Sequence, residues 1–269
     1  MSDSPDPIAT TLLVALFLVL TEIVRAFSSG TLQAPRPPRR QLQFDWAVLA
    51  LAGAFILLNV LPALLRPFMG GPEPAPKREP TVLLIVVSVF FNFGILIMLL
   101  AVIPARKKND LADYGVDRRG WLAEVRYGGL GFLASLPFVF VVMALVSRWR
   151  TPETQNALLV LLRQSGNEST IVGVVFMAVV AAPLTEELLF RVCFQGPLET
   201  FLPAAWAIGI PAVIFASVHG PYDALPLLPL AIMLGILYHV RHSYIANVTA
   251  HAMFNAMFLV LALWQKQAA

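Results

Sequence analysis

Charge is scarce in this chain. Charged residues make up 13% of its 269, against about 25% in a soluble domain, while 58% are apolar. Sixteen acids and 19 bases cannot cover the surface of a water-soluble enzyme of this length, so that class is excluded, as is a disordered chain. The net charge of +3 carries no basic cluster interleaved with aromatics outside a membrane flank, which excludes nucleic acid as a partner. Cysteine occurs once, at Cys193. An intrachain disulfide and any multi-cysteine metal site are therefore absent.

Other absences narrow the class further. No segment of about ten residues alternates apolar with polar, so a β-barrel is excluded. The first apolar run starts at Ile8 behind Asp3 and Asp6, with Glu22 and Arg25 after it. It lacks the basic lead and small-residue cleavage site of a signal peptide and reads as a retained span. No strand precedes Tyr127-Gly128-Gly129-Leu130-Gly131, so these glycines read as close helix packing and not as a phosphate loop.

What is present is apolar length. Runs near 20 residues are the spanning signal, because a helix rises 1.5 Å per residue across roughly 30 Å of hydrocarbon. Eight windows qualify: Ile8–Val24, Phe44–Leu65, Thr81–Ile103, Tyr127–Val146, Ser169–Phe190, Pro203–Val218, Ala224–Val240 and Tyr244–Trp264. The first, sixth and seventh are short. The reading is an all-α, polytopic transmembrane helix bundle of about eight spans, with a range of six to eight. The connectors hold the prolines and most of the charge, and Leu111 to Trp121 reads as a short interfacial element with Trp121 at headgroup depth. Counting Lys and Arg by loop gives ten on the odd connectors against six on the even ones. That bias places the odd connectors in the cytoplasm.

The informative residues break the apolar pattern. An ionisable group at bilayer depth costs roughly 2.5–3.5 kcal/mol and faces a cavity or a partner. Glu186, Glu187 and Arg191 sit together in the fifth window. Glu187 and Arg191, four apart, share a helical face and can pair; Glu186 lies about 100° round the helix without that partner. His219 ends the sixth window, and His251 and Asn255, again four apart, point to one side of the eighth. Glu22, near the end of the first span, reads as facing water or a neighbour. His239 and His242 flank Arg241 in what reads as a headgroup-facing loop. Asn167-Glu168-Ser169 and Asn247-Val248-Thr249 match the glycosylation sequon, the second inside a span.

In order along the chain, Glu186-Glu187-Leu188-Leu189-Phe190-Arg191 matches EExxxR, Phe215 to His219 matches FxxxH, and His251 to Asn255 matches HxxxN. Together they resemble the CPBP (Abi) family, the type II CAAX prenyl endopeptidases and their bacteriocin-processing or immunity relatives. The resemblance runs from about Trp121 to Trp264. It divides the chain into N-terminal spans and connectors (1–120), a protease core (121–264) and a tail (265–269).

The resemblance implies an intramembrane endopeptidase acting on a membrane-associated, prenylated or unmodified peptide, in the plasma membrane of a bacterium. Glu186 would activate water beside His219. His251 and Asn255 would hold the oxyanion or position the water, with Glu187 and Arg191 in support. The family is described both as metal-dependent and as glutamate-type. A metal version would take Glu186, His219 and His251 around zinc with water in the fourth position; no HExxH is present. The chemistry is coherent with either, since amide hydrolysis needs a base for water and donors for the oxyanion.

Two other classes use the same residues. A non-catalytic scaffold or immunity-type binding protein would need them as a buried polar network. A proton-coupled transporter would need them as a relay, but no repeat between halves is visible. One geometric condition separates the enzyme from both. His219 stands at the far end of its helix from Glu186 and His251 if every span crosses fully. The three converge only near mid-depth, or if the sixth helix is short, is broken at Pro211, or follows an interfacial stretch through Gly196-Pro197.

Overall fold

Among the described residues, seven helices fall on the apolar windows. The computed structural model describes residues 42–65, 82–147, 162 and 167–268; the window Ile8–Val24 and Glu22 lie outside the described residues. The helices are α1 (Trp46–Leu65), α2 (Val82–Ala105), α3 (Trp121–Val146), α4 (Glu168–Leu198), α5 (Ala204–Val218), α6 (Pro221–Arg241) and α7 (Tyr244–Ala268). Five of them, α2, α3, α4, α6 and α7, hold apolar stretches long enough to cross a membrane, while those of α1 and α5 are shorter. There is no strand among the described residues. The bundle is a polytopic all-α membrane protein.

Large apolar side chains on the outside agree with a lipid surround. Leu58 and Phe90 are each 74% exposed, as are Trp206 and Val260 to a slightly lesser degree. In water such a surface would mark aggregation or a partner. In lipid it is the ordinary exterior, and the core inside is held by close packing and polar contacts.

Glycine makes the tightest of those contacts. A methyl group on Gly128 of α3 would stand 2.5 Å from the Ala246 carbonyl and 2.6 Å from Thr249 Cβ of α7. One on Gly131 would meet Leu237 of α6 at 2.9 Å. The Gly-rich stretch thus lets α3 lie close against α6 and α7. Around it gather Tyr127, Phe132, Leu234, Ala246 and Phe254. A second cluster joins Val48 and Ala52 of α1 and Leu99 and Ile103 of α2 to Leu188, Val192 and Phe215. The N-terminal helices therefore wall the α4 segment that carries the charges.

The connector ahead of α3 folds back under the helix ends. Leu111–Tyr114 forms one 3-10 turn, closed by Gly115 at φ +77°, a left-handed conformation natural to glycine. Tyr238 Oη donates to the Tyr114 carbonyl at 2.9 Å, and the Tyr244 amide donates to the Gly115 carbonyl at 3.0 Å. Burial pushes the Tyr114 phenol up to about 12. At the same end Arg241 Nη2 meets Glu124 Oε1 at 2.6 Å, with its guanidinium 3.8 Å over the Tyr127 ring. His239 Nδ1 lies 3.2 Å from Glu199, and His242 Nε2 pairs with the Asp113 carbonyl at 2.7 Å. The expected loop is thus the last turn and cap of α6, turned inward by partners that a headgroup would otherwise supply.

Two further expectations change. Gly196-Pro197 is the final turn of α4 and not a separate interfacial stretch. Asn247 is fully buried inside α7, so the second sequon is inaccessible; Asn167 caps α4 by accepting from the Ser169 amide.

Candidate active site

Helix length brings the polar residues together. α5 has 15 residues, about 22 Å at 1.5 Å per residue, which falls short of the roughly 30 Å hydrocarbon core. Pro211 lies inside it without breaking it. At its C-terminal cap, His219, the chain turns through Gly220 (φ +92°) into α6. The three residues meet beside the end of this short helix.

α4 supplies the carboxylates by an irregular backbone. Two π-helical segments, Met177–Ala181 and Leu188–Gln195, bracket the turn that holds Glu186 and Glu187. Such wide turns are frequent at functional sites, and they leave backbone carbonyls for side chains to satisfy. Asn255 Nδ2 of α7 donates to the Ala178 carbonyl at 2.8 Å. Tyr244 Oη, also of α7, donates to the Leu184 carbonyl at 2.6 Å. Thr185 Oγ1 bridges the Ala181 and Asn92 carbonyls at 3.0 and 3.1 Å, tying α4 to α2.

The two glutamates then take opposite surroundings. Glu187 is wholly buried; it accepts from Arg191 Nε at 3.1 Å and from His251 Nδ1 at 2.8 Å. Arg191 is also wholly buried, with its guanidinium 5.3 Å from the Phe215 ring centre. Glu186 faces the other way, into a cavity of about 320 Å³. Its Oε2 is buried and has no hydrogen-bond partner among the described residues. His219 Nε2 and His251 Nε2 each stand 3.9 Å from that oxygen.

The histidine ring orientations follow from their other nitrogens. His219 Nδ1 lies 2.7 Å from the Phe215 carbonyl, and a carbonyl only accepts, so Nδ1 carries the hydrogen. His251 Nδ1 likewise donates to Glu187. In the neutral rings both Nε2 atoms present lone pairs toward Glu186 Oε2. Phe215 holds the arrangement from behind. Its ring centre is 4.8 Å from His219, 5.6 Å from His251 in an edge contact, and 5.2 Å from Phe190.

All six sequence-nominated residues, Glu186, Glu187, Arg191, His219, His251 and Asn255, thus fall in one region. Glu186, His219, His251 and Asn255 line the cavity, while Glu187 and Arg191 lie behind it. The cavity extends from them toward Met143, Met177 and Phe258, at the end of the bundle away from the Glu124–Arg241 pair. Three contributors went unassigned at the level of sequence. Phe215 was visible as the first letter of FxxxH, but its four ring contacts were not. Tyr244 and Asp223, the latter on the cavity wall, carried no spacing signal.

Zinc would need a tighter set of donors than this geometry offers. Zinc donors lie about 2.0–2.2 Å from the ion, so tetrahedral neighbours stand about 3.4 Å apart. The two 3.9 Å separations are wider, and among the described residues no three His, Cys, Asp or Glu close to a metal-holding group. The residues as arranged do not fit the ion.

The family model described as type II CAAX prenyl endopeptidase Rce1-like matches residues 168–257, from the start of α4 into α7. That segment is similar to the Rce1-like family over about a third of the chain. The match is narrower than the Trp121–Trp264 resemblance read from the motifs, and it contains every residue of the three motifs. UPF0177 protein YaiF of Lactococcus lactis subsp. lactis (strain IL1403) is 34% identical over 88 residues, 32% of this chain. The chain spans 39% of that protein's length. No solved structure matches the chain. The Rce1-like segment supplies the two glutamates, both histidines and Asn255, and the helices outside it close the cavity through Val139 and Met143 of α3.

Proposed function

We propose that the protein is an intramembrane endopeptidase in which Glu186 activates the hydrolytic water. The observation that carries this reading is Glu186 Oε2, buried without a hydrogen-bond partner among the described residues and flanked at 3.9 Å by two imidazole nitrogens on a cavity wall. With both rings neutral, three acceptors converge on one point and repel one another unless a donor stands between them. A water molecule meets that need, since one water bridges polar groups too far apart to bond directly.

Hydrolysis then follows from the residues in place. Water between Glu186 and an imidazole Nε2 attacks the peptide carbonyl carbon as Glu186 takes one of its protons. The oxyanion needs N–H donors aimed where the charge develops. Asn255 has one amide hydrogen on the Ala178 carbonyl and its second available to the cavity. His219, when protonated, offers Nε2–H. Collapse of the tetrahedral intermediate breaks the C–N bond, and Glu186 returns its proton to the leaving amine. Glu187 and Arg191 fix the ring of His251 and touch no substrate. Zinc held by Glu186, His219 and His251 would polarise the carbonyl directly; the widths above give it no place in these steps.

The substrate is a membrane-associated peptide reaching an apolar cavity from the bilayer. Prenylated C-terminal peptides are the first class to assay, given the matched family's description. The bacterial relative supports the plasma membrane of a bacterium as the location.

The test is Glu186→Gln in protein reconstituted into liposomes, with prenylated and unmodified peptides and mass-spectrometric detection of products. A positioned general base contributes about 10²–10⁴ in rate, so cleavage should fall by at least about a hundredfold. An unchanged rate removes Glu186 as the base. Chelation with phenanthroline should leave wild-type cleavage intact; a loss restored by zinc would replace this mechanism with a metal-dependent one.

A further inference from the structure

Hydrolysis leaves unused a basic surface at the end of the bundle away from the cavity. It is built on the connector between α2 and α3. Residues 105–126 hold six cations, Arg106, Lys107, Lys108, Arg118, Arg119 and Arg126, with four acids, Asp110, Asp113, Asp117 and Glu124. All six cations are exposed. Three of the acids are engaged within the protein. Glu124 is buried against Arg241, Asp117 Oδ2 accepts from Arg119 Nε at 2.6 Å, and Asp113 Oδ2 accepts from the Asp110 amide at 2.7 Å.

The connector is held as part of the fold, and it meets an aromatic rim. Asn109 Oδ1 accepts from the Gln43 amide at 2.8 Å, and its Nδ2 donates to the Gln43 carbonyl at 2.7 Å. Arg106 reaches Asp45 at 3.4 Å, so the start of α1 lies beside the end of α2. Phe44 there packs edge-on against Trp46 and Phe201, with ring centres 4.5 and 5.1 Å apart. Trp46, Phe201 and Trp206 are exposed, as are Trp121 and Leu122 at the start of α3. Exposed aromatics in such a ring sit at headgroup level in a bilayer. The cations therefore lie at the depth of the lipid phosphates.

We propose that this surface binds the headgroup of an anionic phospholipid. Arg and Lys offer N–H donors to the phosphate oxygens, and charge-assisted bonds of this kind are the strong ones. Arg118 and Arg126 add the planar fork that meets two oxygens at once. Trp121 and Leu122 cover the first carbons of the acyl chains. Those exposed apolar side chains decide for a lipid over a soluble anion, which would meet the cations but gain nothing from the rim.

The experiment uses the full-length protein in zwitterionic detergent. Dilauroyl phosphatidylglycerol, phosphatidylcholine with the same chains, and inorganic phosphate are titrated separately, with affinities read by microscale thermophoresis. A cation close to anionic lipid contributes about fivefold in affinity. Phosphatidylglycerol should therefore bind wild type at least about tenfold more tightly than phosphatidylcholine, and added salt should narrow that gap. Lys107→Gln with Lys108→Gln, and Arg118→Gln with Arg126→Gln, should each reduce it. All four together should bring it to about twofold, whereas Arg118→Lys with Arg126→Lys should preserve most of it. Trp121→Ala should weaken both lipids alike. Equal affinity of wild type for the two lipids overturns the inference, as does a gap that survives the four substitutions. Inorganic phosphate bound as tightly as phosphatidylglycerol overturns it too, because the surface would then be a site for soluble anions. If the fourfold variant does not fold, the lipid comparison and its salt dependence in wild type still decide.

Discussion

His251 Nδ1 donates to Glu187 Oε1 at 2.8 Å, joining α7 to α4 across 64 residues of sequence. Through that bond and the one from Arg191 Nε at 3.1 Å, Glu187 is satisfied from two helices while fully buried. Removing one partner of a buried ion pair leaves an uncompensated charge, at a cost of about 3–5 kcal/mol. Arg191→Met should therefore lower the thermal unfolding midpoint in detergent markedly, whereas the double variant Glu187→Gln, Arg191→Met should recover much of the loss. Equal destabilisation by the single and double variants would count against the pair as the reason for these charges. The double variant should still cleave poorly, because a neutral amide orients the His251 ring less firmly.

Glycine predictions separate strain from crowding. Gly115 and Gly120 both have positive φ, +77° and +66°, and a side chain there costs about 1–2 kcal/mol. A Cβ on Gly120 meets open space, while one on Gly115 collides with the backbone carbonyl of His242. Gly115→Ala should be distinctly more destabilising than Gly120→Ala in denaturant or thermal unfolding. Similar costs for the two would mean that the connector docks less tightly against the end of α6 than the geometry has it.

Legibility differed between these two levels. The helices were readable because hydrophobic length is a property of the sequence itself, and seven windows recur as helices, although α3 begins six residues before its window and α4 runs eight residues past its own. The Glu187–Arg191 pair was readable for the same reason, being four apart on one helix. The approach of His219 to Glu186 was not, since it depends on where a 15-residue helix stops relative to its neighbours. Nor were the inward roles of His239, Arg241 and His242. Their partners Glu199, Glu124 and Asp113 lie on other elements, and local pattern says nothing about contacts of that range.

Tyr114 gives the folded state a pH dependence outside the membrane spans. Its phenol is pushed up from 10.0 to about 12, chiefly by burial. A group whose folded value is raised contributes stability in full below its unfolded value and loses it as pH climbs toward the folded one. Wild type should thus lose stability relative to Tyr114→Phe between about pH 10 and 12, with a constant offset between the two below pH 10. Thermal melts of both proteins across that range provide the check. A difference independent of pH would show that Tyr114 ionises no differently in the folded and unfolded chain.

Asn255 separates a catalytic contact from a structural one. One of its amide hydrogens is held by the Ala178 carbonyl in the first π-helical segment, and the proposed mechanism gives the other to the oxyanion. Loss of a single oxyanion donor typically costs about 10²–10³ in kcat. An interaction made only in the transition state lowers kcat and kcat/KM together. Asn255→Ala should therefore reduce kcat by about a hundredfold or more with KM nearly constant. Asn255→Asp, which keeps the size but has no donor and adds a charge, should be no better. Loss of the Ala178 contact alone would instead perturb the wall shared with Glu186 and raise KM, with kcat largely intact. Steady-state kinetics on one cleaved peptide distinguish the two, and a change confined to KM would move Asn255 out of the oxyanion site and leave it as a brace for the irregular turn of α4.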